Sequence, residues 1–351
     1  MASPCDVAGA GRTGEIVLDQ RVETVGDAEG AGVPLSPFVT PTAPRLDPRK
    51  FQDPRVTLDG SARAVVGLRA LDTLWFNTGT LCNIACLTCY IESSPRNDAL
   101  SYLTLDEVTG YLDDIAALGL TTEEIGFTGG EPFMNAAIIP MLEASLATGR
   151  RTLVLTNAMR PMRRFERQLI DLKDRYGEAL ILRVSLDHYT QGVHEAERGA
   201  DTWAPALAGL GWLGENGFSI AIAGRRLGDE SEDSARAGYA ALFAGLGLTL
   251  DVNDPSRLVL FPEMDATRDV PEITEACWGI LKLSPDSVMC ASSRMVVKRK
   301  GAARPAVVAC TLTPYDPQFE LGGTLSEALG AVPLNHPHCA RFCVLGGASC
   351  S

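Results

Sequence analysis

CNIACLTC at residues 82–89 is the most informative stretch of the sequence, and it follows closely after the apolar run LDTLWF at 71–76. It spaces three cysteines as Cys82-x3-Cys86-x2-Cys89, so that three thiols share one tight loop. Three thiolates can bind three irons of a cubane and leave the fourth iron without a protein ligand. The alternative is part of a zinc site, but zinc takes four ligands, and no further His or Cys lies beside this loop. The spacing therefore favours an iron–sulfur centre with one open metal position.

A second motif, Gly129-Gly130-Glu131-Pro132, follows the apolar run EIGF at 124–127. Consecutive glycines let the backbone approach a ligand closely, and a carboxylate can accept hydrogen bonds from an ammonium group. Such a motif alone is usually just a turn. Because this one follows the strand adjacent to the cysteine loop, it predicts an amine-binding edge beside the open iron.

Short apolar runs alternate with helical patterns from Leu68 onward, as they do in repeated βα units. Six such runs predict an α/β fold with a parallel sheet, open or partly closed as a barrel. The strands are predicted at 71–76, 124–127, 152–155, 180–184, 218–223 and 257–261. The first helix opens with a capping box of Thr104 and Glu107. Its inner face is predicted to carry Leu105, Val108, Leu112, Ile115 and Ala116.

Together the two motifs resemble those of the radical S-adenosylmethionine (SAM) superfamily, over most of residues 70–262. The resemblance implies a partial (β/α)6 TIM-type barrel in which Cys82, Cys86 and Cys89 hold a [4Fe–4S] cluster. It also implies that the amino and carboxylate groups of SAM chelate the free iron, and that residues 129–132 bind the amino group. The residue before the last cysteine is commonly aromatic in this family and packs near the adenine. Here that position is Thr88, so the aromatic candidate for the adenine contact is Tyr90.

Polar residues also end the third and fourth predicted strands, where βα barrels place their functional sites. Thr156-Asn157 ends the third strand, and Ser185 and Asp187 end the fourth, with Arg198 further along the chain. In many family members a similar Ser-x-Asp and a following arginine approach the ribose and carboxylate of SAM. Arginine suits a carboxylate because its planar donors can bind both oxygens. The resemblance therefore implies cofactor contacts for all five residues.

The C-terminal tail is rich in cysteine, with six of the ten cysteines in the last 75 residues. Two β-like runs flank the basic turn at 298–301, and the tail looks like the extension called SPASM or, in its shorter form, twitch, which holds auxiliary iron–sulfur clusters. Because a cubane takes about four thiolates, we predict one auxiliary [4Fe–4S] cluster. Its predicted ligands are Cys290, Cys310, Cys339 and Cys343, with Cys277 and Cys350 as alternative ligands. The alternative to a cluster is a structural zinc knuckle.

Composition supports a globular enzyme-sized chain of 351 residues, 46% hydrophobic and 21% charged. We interpret residues 1–66 as a Pro- and Gly-rich arm, 67–265 as the radical SAM core and 266–351 as the auxiliary-cluster region. The net charge of −13 repels a phosphate backbone, which argues against nucleic acid as a partner. No apolar run reaches the roughly 20 residues that span a bilayer, and the start lacks a signal-peptide pattern. We therefore expect a cytoplasmic protein with no membrane partner.

The resemblance implies an enzyme that reductively cleaves SAM to a 5′-deoxyadenosyl radical and abstracts hydrogen from a peptide or small-metabolite substrate. An auxiliary cluster suggests an oxidative outcome, and the electron donor would be a flavodoxin- or ferredoxin-type protein. His188, Tyr189 and His194 follow the fourth strand and are candidates for lining the substrate cavity. The alternative is a non-catalytic zinc or iron–sulfur redox adaptor, which would not need residues 129–132 or Arg198.

Overall fold

A computed structural model describes residues 45–228, 230–262 and 268–347 as a mixed α/β fold. The strands are β1 (Val65–Val66), β2 (Thr73–Asn77), β3 (Glu124–Thr128), β4 (Arg151–Thr156), β5 (Leu180–Ser185), β6 (Ser219–Arg225), β7 (Leu258–Phe261), β8 (Ser293–Val297), β9 (Ala306–Val308), β10 (Glu320–Gly322) and β11 (Val332–Pro333). The helices are α1 (Leu105–Ala117), α2 (Ile138–Ala147), α3 (Arg160–Arg163), α4 (Glu166–Tyr176), α5 (Gln191–Arg198), α6 (Trp203–Glu215), α7 (Glu232–Gly245) and α8 (Glu275–Leu281). Within these ranges, no helix combines the length and the apolar character needed to cross a lipid bilayer.

Strands β2 to β7 lie side by side and parallel, which confirms the predicted βα series. At least one helix lies in the crossover between each strand and the next. The whole sheet has the order β10-β9-β8-β2-β3-β4-β5-β6-β7, so that β10 and β7 are its edges in the described ranges. The sheet is therefore an open, partial barrel, as the sequence predicted, and its carboxyl ends gather the loops that follow β2 to β7.

Helix α1 begins where the sequence predicted. The hydroxyl of Thr104 accepts the N–H of Glu107, and the Glu107 carboxylate accepts the Thr104 N–H at 2.9 Å. The buried residues are Val108, Tyr111, Leu112 and Ile115. Ala116 is exposed, contrary to the prediction, because the helical period of 3.6 residues centres the apolar stripe on 108, 111, 112 and 115.

Successive side chains along a strand point to opposite faces of the sheet, and they divide the buried core into two clusters. In β2, Leu74 and Phe76 pack in the cluster under the helices, whereas Trp75 between them belongs to a second cluster inside the barrel. Phe261 of β7 and Met295 of β8 join Trp75 in that inner cluster. The barrel interior is therefore an apolar space directly below the carboxyl ends of the strands.

The predicted hairpin of the tail is present, and it extends the barrel sheet. Strand β8 pairs with β9 in antiparallel orientation and with β2 in parallel orientation. Cys290 precedes β8 and Cys310 follows β9, so the hairpin brings both cysteines to one end. The auxiliary-cluster region thus shares the sheet of the core.

Residues 45–66 pack on the tail, while residues 1–44 of the predicted arm lie outside the described residues. Strand β1 pairs with β11, and Arg63 forms a buried ion pair with Glu272 at 2.6 Å. The same carboxylate accepts the N–H groups of Phe51 at 2.6 Å and of Leu58 at 2.7 Å. Because a buried charge needs partners, this cluster ties the segment firmly to the start of the tail.

Candidate functional site

The cysteine loop and the ends of β3 to β6 surround one cavity of about 1010 Å³, counted to its open mouth. Most of the predicted cofactor residues line it. These are Cys82, Cys86, Cys89, Tyr90, Gly129, Gly130, Thr156, Asn157, Ser185, Asp187 and Arg198. Glu131 and Pro132 are the two predicted residues that lie behind this lining.

The cysteine loop is held in place by hydrogen bonds to the end of α5. The Leu87 N–H donates to the Glu197 carbonyl at 2.8 Å, and the Thr88 hydroxyl donates to the Glu197 carboxylate at 2.6 Å. At the other end of the loop, the Cys82 N–H donates to the Ser94 carbonyl at 3.1 Å. The position of the three thiols therefore depends on a helix more than 100 residues away in sequence.

The three thiols are reduced and sit in an environment that suits metal ligation. Burial raises the pKa of Cys82 to about 12 and that of Cys86 to about 11, while Arg198 and Arg225 act in the opposite direction on Cys86. The Ser93 N–H donates to the Cys89 sulfur at 3.3 Å. A metal centre binds thiolates, and nearby cations and N–H donors stabilise that form. The residues present therefore fit an iron–sulfur centre.

Gly129 and Gly130 permit a close backbone contact beside the cysteine loop. A Cβ at Gly129 would lie 2.5 Å from the Gly79 carbonyl oxygen, and one at Gly130 would lie 2.2 Å from that of Leu81. The N–H groups of Gly130 and Glu131 donate to these same oxygens, at 2.8 and 3.2 Å. The glycines are thus required by the chain that leads into the cysteine loop, a reason that the sequence alone did not reveal.

Glu131 joins the ends of β3 and β4. Its buried carboxylate accepts the Thr156 hydroxyl and the Asn157 N–H, both at 2.8 Å, and the Phe133 N–H at 3.3 Å. Burial raises the pKa of Glu131 to about 7, and the three hydrogen bonds counter part of that shift. Pro132, also buried, begins the short turn that follows. Contact of Glu131 with an amino group remains a prediction.

Asp187 is the centre of a buried charge cluster at the cavity wall. Its carboxylate lies 2.9 Å from Arg198 Nε and 3.1 Å from Arg225 Nε. Burial alone would raise the pKa of Asp187, but the two arginines overcome it and hold the pKa at about 2. The Asp187 carboxylate thus lies between two guanidinium groups at the cavity wall, close to the Cys86 thiol.

Sequence reasoning missed Arg225, which ends β6 at the carboxyl edge of the barrel. Besides Asp187, its guanidinium donates to the hydroxyl of Thr88 and to the Thr88 carbonyl, the latter at 3.1 Å. It also lies over the ring of Tyr90, with its carbon 4.8 Å from the ring centroid. The available signal was a basic residue at the end of an apolar strand, SIAIAGR, in a barrel whose other strand ends carry site residues.

The four predicted auxiliary ligands line a second cavity of about 380 Å³. These are Cys290, Cys310, Cys339 and Cys343, and all four are reduced. The Leu312 N–H donates to the Cys310 sulfur at 3.3 Å. His338 lines the same cavity, and its Nδ1 has no hydrogen-bond partner in the described part of the chain. Cys277 is absent from this lining, and Cys350 lies outside the described residues.

In each of the two cavities, several thiols line one common space. In the described ranges, no three His, Cys, Asp or Glu side chains converge on a position for a single metal ion. A cubane takes one thiolate on each iron, so its ligands surround the cluster. The three- and four-thiol linings of the two cavities agree with that arrangement.

His188, Tyr189 and His194 do not line the main cavity in the described residues. The rings of His188 and Tyr189 stack at 4.1 Å, and the Tyr189 hydroxyl donates to Glu230 at 2.7 Å. His194 is buried in α5, with its ring 5.3 Å from that of Trp203. The expectation that one of them reaches the cavity is wrong here, because α5 begins at Gln191 and directs this segment toward α6 and α7.

The family model of the radical SAM superfamily matches residues 76–235. In sequence, the chain is similar to the antilisterial bacteriocin subtilosin biosynthesis protein AlbA of Bacillus subtilis (strain 168), with 27% identity over 169 residues. That match covers 48% of this chain and 35% of AlbA, so the chain spans about a third of this curated relative.

Two solved structures share the fold. One is SuiB of Streptococcus suis bound to the precursor peptide SuiA, with a TM-score of 0.51 and 12% identity over 73% of this chain and 63% of SuiB. The other is anSMEcpe with bound AdoMet, with a TM-score of 0.50 and 14% identity over 73% of this chain and 76% of that protein. At these identities the likeness establishes the architecture of the barrel alone.

Proposed function

We propose that this chain, whose residues 76–235 match the family model of the radical SAM superfamily, is an enzyme that reductively cleaves SAM and abstracts hydrogen from a bound substrate. One observation carries the proposal: the three-cysteine loop, the Gly129-Gly130 turn and the Asp187–Arg198 pair all border one cavity. These residues come from separate βα units, and a purely structural cysteine site would not require them together.

Cys82, Cys86 and Cys89 would hold a [4Fe–4S] cluster. When bound, the cluster with SAM on its open iron supplies the reductive cleavage of the sulfonium and the hydrogen abstraction that follows. The protein contributes position and charge, since Arg198 and Arg225 stand beside Cys86 and the Ser93 N–H donates to Cys89 at 3.3 Å. The walls of the partial barrel would limit the access of water to the reacting groups.

Arg198 is the arginine that we assign to the carboxylate of SAM. Arg225 already uses its donors on Asp187 and on both oxygens of Thr88. Arg198 contacts Asp187 through Nε and Nη2, which leaves further donors on its guanidinium for a ligand. Arginine binds a carboxylate with two parallel hydrogen bonds, so one uncommitted edge is sufficient.

We assign the other predicted contacts of SAM to residues that line the cavity or lie directly behind its lining. We assign Gly129, Gly130, Glu131 and Pro132 to the edge that receives the amino group. Thr156, Asn157, Ser185 and Asp187 are assigned to the polar wall at the ends of β4 and β5, and Tyr90 to the adenine. Of this set, Glu131 and Pro132 stand behind the lining, so their part is to position the turn.

Cys290, Cys310, Cys339 and Cys343 would hold one auxiliary [4Fe–4S] cluster. Their common cavity is lined by apolar side chains, including Met289 and Phe319, which would shield the cluster from solvent. The cluster supplies a site that can take up an electron, and on this basis we propose an oxidative outcome for the reaction. The external donor for the first cluster would be a flavodoxin- or ferredoxin-type protein, and the reaction would take place in the cytoplasm.

A peptide is the substrate class that the relatives favour over a small metabolite. SuiB was solved with its precursor peptide, and AlbA is named for the biosynthesis of a bacteriocin. The present chain covers only part of both proteins, so the peptide itself and the bond that is changed are left to experiment.

Anaerobic purification followed by reaction with SAM and dithionite tests the proposal. We expect brown protein with about eight irons, as two cubanes require, and formation of 5′-deoxyadenosine. Cys86→Ala is expected to abolish 5′-deoxyadenosine, whereas Cys5→Ala, which removes a cysteine outside both predicted ligand sets, serves as the matched control. Colourless protein with about one zinc per four-thiol set would support the adaptor alternative instead, and unchanged turnover in Cys86→Ala would overturn the assignment.

A further inference from the structure

The deep part of the main cavity differs in chemistry from its mouth. Leu155 and Ala223 lie one or two residues before the ends of their strands, and Trp75 lies two residues before the end of β2. At about 3.3 Å per residue, they lie up to about 7 Å below the strand ends. Phe261 and Leu312 also line the cavity, with Phe261 at the end of β7 and opposite Arg225. We call Trp75, Leu155 and Ala223 the luminal pocket.

No charged side chain belongs to the luminal pocket. The charged residues that line the cavity, Asp187, Arg198 and Arg225, lie at the strand ends or above them and are paired with one another. A charged group that entered the luminal pocket would lose its hydration without gaining a partner, at a cost of several kcal/mol or more. The pocket therefore discriminates strongly against charged side chains and favours apolar ones.

Trp75 gives the luminal pocket a single fixed donor. The residue is 1% exposed, and its indole Nε1 is buried with no hydrogen-bond partner in the described residues. The neighbouring strand makes room for the ring, because a Cβ at Gly126 would lie 2.3 Å from Trp75 Cε3. Buried indole N–H groups usually find an acceptor, so an unpaired one beside a cavity points to a ligand.

A second unpaired polar group lies beside the same cavity. The Ser93 hydroxyl is buried and has no hydrogen-bond partner in the part of the chain that the structure describes. A hydroxyl can donate or accept, whereas an indole N–H only donates. A peptide unit carries one carbonyl acceptor and one N–H donor, which are partners of the kinds that these two groups can bind.

We propose that the luminal pocket binds an uncharged, apolar side chain of the substrate, and that Trp75 Nε1 donates to a carbonyl of the attached amide backbone. This inference rests on the proposed function, and it assigns the substrate to apolar residues of a peptide. A polyhydroxylated or amino-substituted metabolite would need several partners within the luminal pocket, where Trp75 Nε1 is the one polar side-chain atom among Trp75, Leu155 and Ala223. Each hydroxyl or ammonium left without a partner would oppose its binding.

Equilibrium dialysis with two matched probes tests the inference on the anaerobic holoenzyme in the presence of SAM. The probes are N-acetyl-L-norleucinamide and N-acetyl-L-lysinamide, whose side chains have the same four-carbon stem and differ by the terminal ammonium. We expect the norleucine probe to bind at least about tenfold more tightly, because the ammonium would be buried without a partner. This comparison uses the unaltered protein and needs no variant to fold.

A pair of tryptophan variants tests the donor. Trp75→Phe keeps an aromatic ring and removes the N–H. We expect this substitution to weaken the binding of the norleucine probe about three- to tenfold. Trp278→Phe is the matched control, since Trp278 Nε1 is also buried and unpaired but Trp278 does not line the cavity. Equal affinity for the two probes, failure of both to bind, or equal losses in the two variants would overturn the inference.

The proposed function and the proposed role of the luminal pocket can fail separately. If 5′-deoxyadenosine forms from SAM but the probes show no preference, the luminal pocket is wrongly assigned and the enzyme class stands. If no 5′-deoxyadenosine forms under any reducing condition, the proposed function fails. Binding of the probes could then no longer be interpreted as binding of a substrate.

Discussion

The ring of Tyr90 lies 6.1 Å from that of Phe342, edge to face, and this contact joins the two cysteine sets. Tyr90 directly follows Cys89, and Phe342 directly precedes Cys343. Phe261 completes a triad, with its ring 6.3 Å from that of Tyr90 and 5.3 Å from that of Phe342. The barrel site and the tail site are therefore parts of one packed structure.

Removal of the Phe342 ring should destabilise the whole chain. Phe342 is fully buried, and truncation of a buried Phe to Ala typically costs about 3–5 kcal/mol, which combines lost burial with a cavity. We expect Phe342→Ala to lower the urea midpoint and to reduce the iron content, while Phe342→Leu has a smaller effect. A Phe342→Ala protein with the midpoint and iron content of the parent would contradict the packed arrangement.

The Thr88 hydroxyl should matter more than its methyl group. It donates to Glu197 at 2.6 Å and accepts from Arg225, so Thr88→Val leaves two buried charged groups short of a partner. We expect Thr88→Val to cost about 1–3 kcal/mol in the free energy of unfolding, and Thr88→Ser, which keeps the hydroxyl, to cost clearly less. Urea unfolding of both variants decides the point, and equal losses would assign the effect to packing.

Asp187 should stabilise the fold in a manner that depends on pH. Its pKa is held at about 2 in the folded protein against the ordinary value of 3.8, so its contribution is present above about pH 4 and is lost as the pH falls toward 2. Asp187→Asn leaves two arginines without their carboxylate, and breaking a buried pair costs about 3–5 kcal/mol.

We therefore expect Asp187→Asn to lower the free energy of unfolding strongly at pH 7. The difference in free energy of unfolding between the parent and the variant should become smaller as the pH falls below 4. Urea unfolding at pH 7, 4 and 3 measures both effects. A deficit that is the same at every pH would mean that the Asp187 carboxylate is not the titrating partner of Arg198 and Arg225.

Two glycine variants should behave in opposite ways. Gly130→Ala puts a Cβ 2.2 Å from the Leu81 carbonyl oxygen, and overpacking against backbone typically costs about 1–3 kcal/mol. Gly110→Ala lies inside α1 with no atom within 4 Å of its Cβ, and it should stabilise the helix by about 1 kcal/mol. Thermal unfolding checks both. A Gly130→Ala protein as stable as its parent would contradict the close contact between Gly130 and the Leu81 carbonyl.

Local patterns in the sequence carried most of the fold. The six strands and the α1 capping box were predictable because apolar runs and cap residues act within a few positions. The cysteine spacing likewise identified residues that line two cavities, since each set of thiols is concentrated in short motifs or brought together by one hairpin.

Contacts between distant strands were not predictable. Arg225 reaches Thr88 across 137 residues, and nothing local in SIAIAGR indicates that partner. Trp75 appeared only as an apolar strand residue, because its place beside the cavity depends on the register that sets it opposite Gly126. The same limit hid the close contacts of Gly129 and Gly130 with the backbone of residues 79–81, and their contact with a ligand stays a prediction.

The open iron position that we propose for the Cys82–Cys86–Cys89 centre is tested most directly by electron paramagnetic resonance. The measurement uses protein with Cys339→Ala and Cys343→Ala, which removes two auxiliary ligands, so that the signal after dithionite reduction comes from the barrel site. We expect excess SAM to change the g-values of that signal, because SAM binds the iron that has no protein ligand. An identical spectrum with and without saturating SAM would contradict the account.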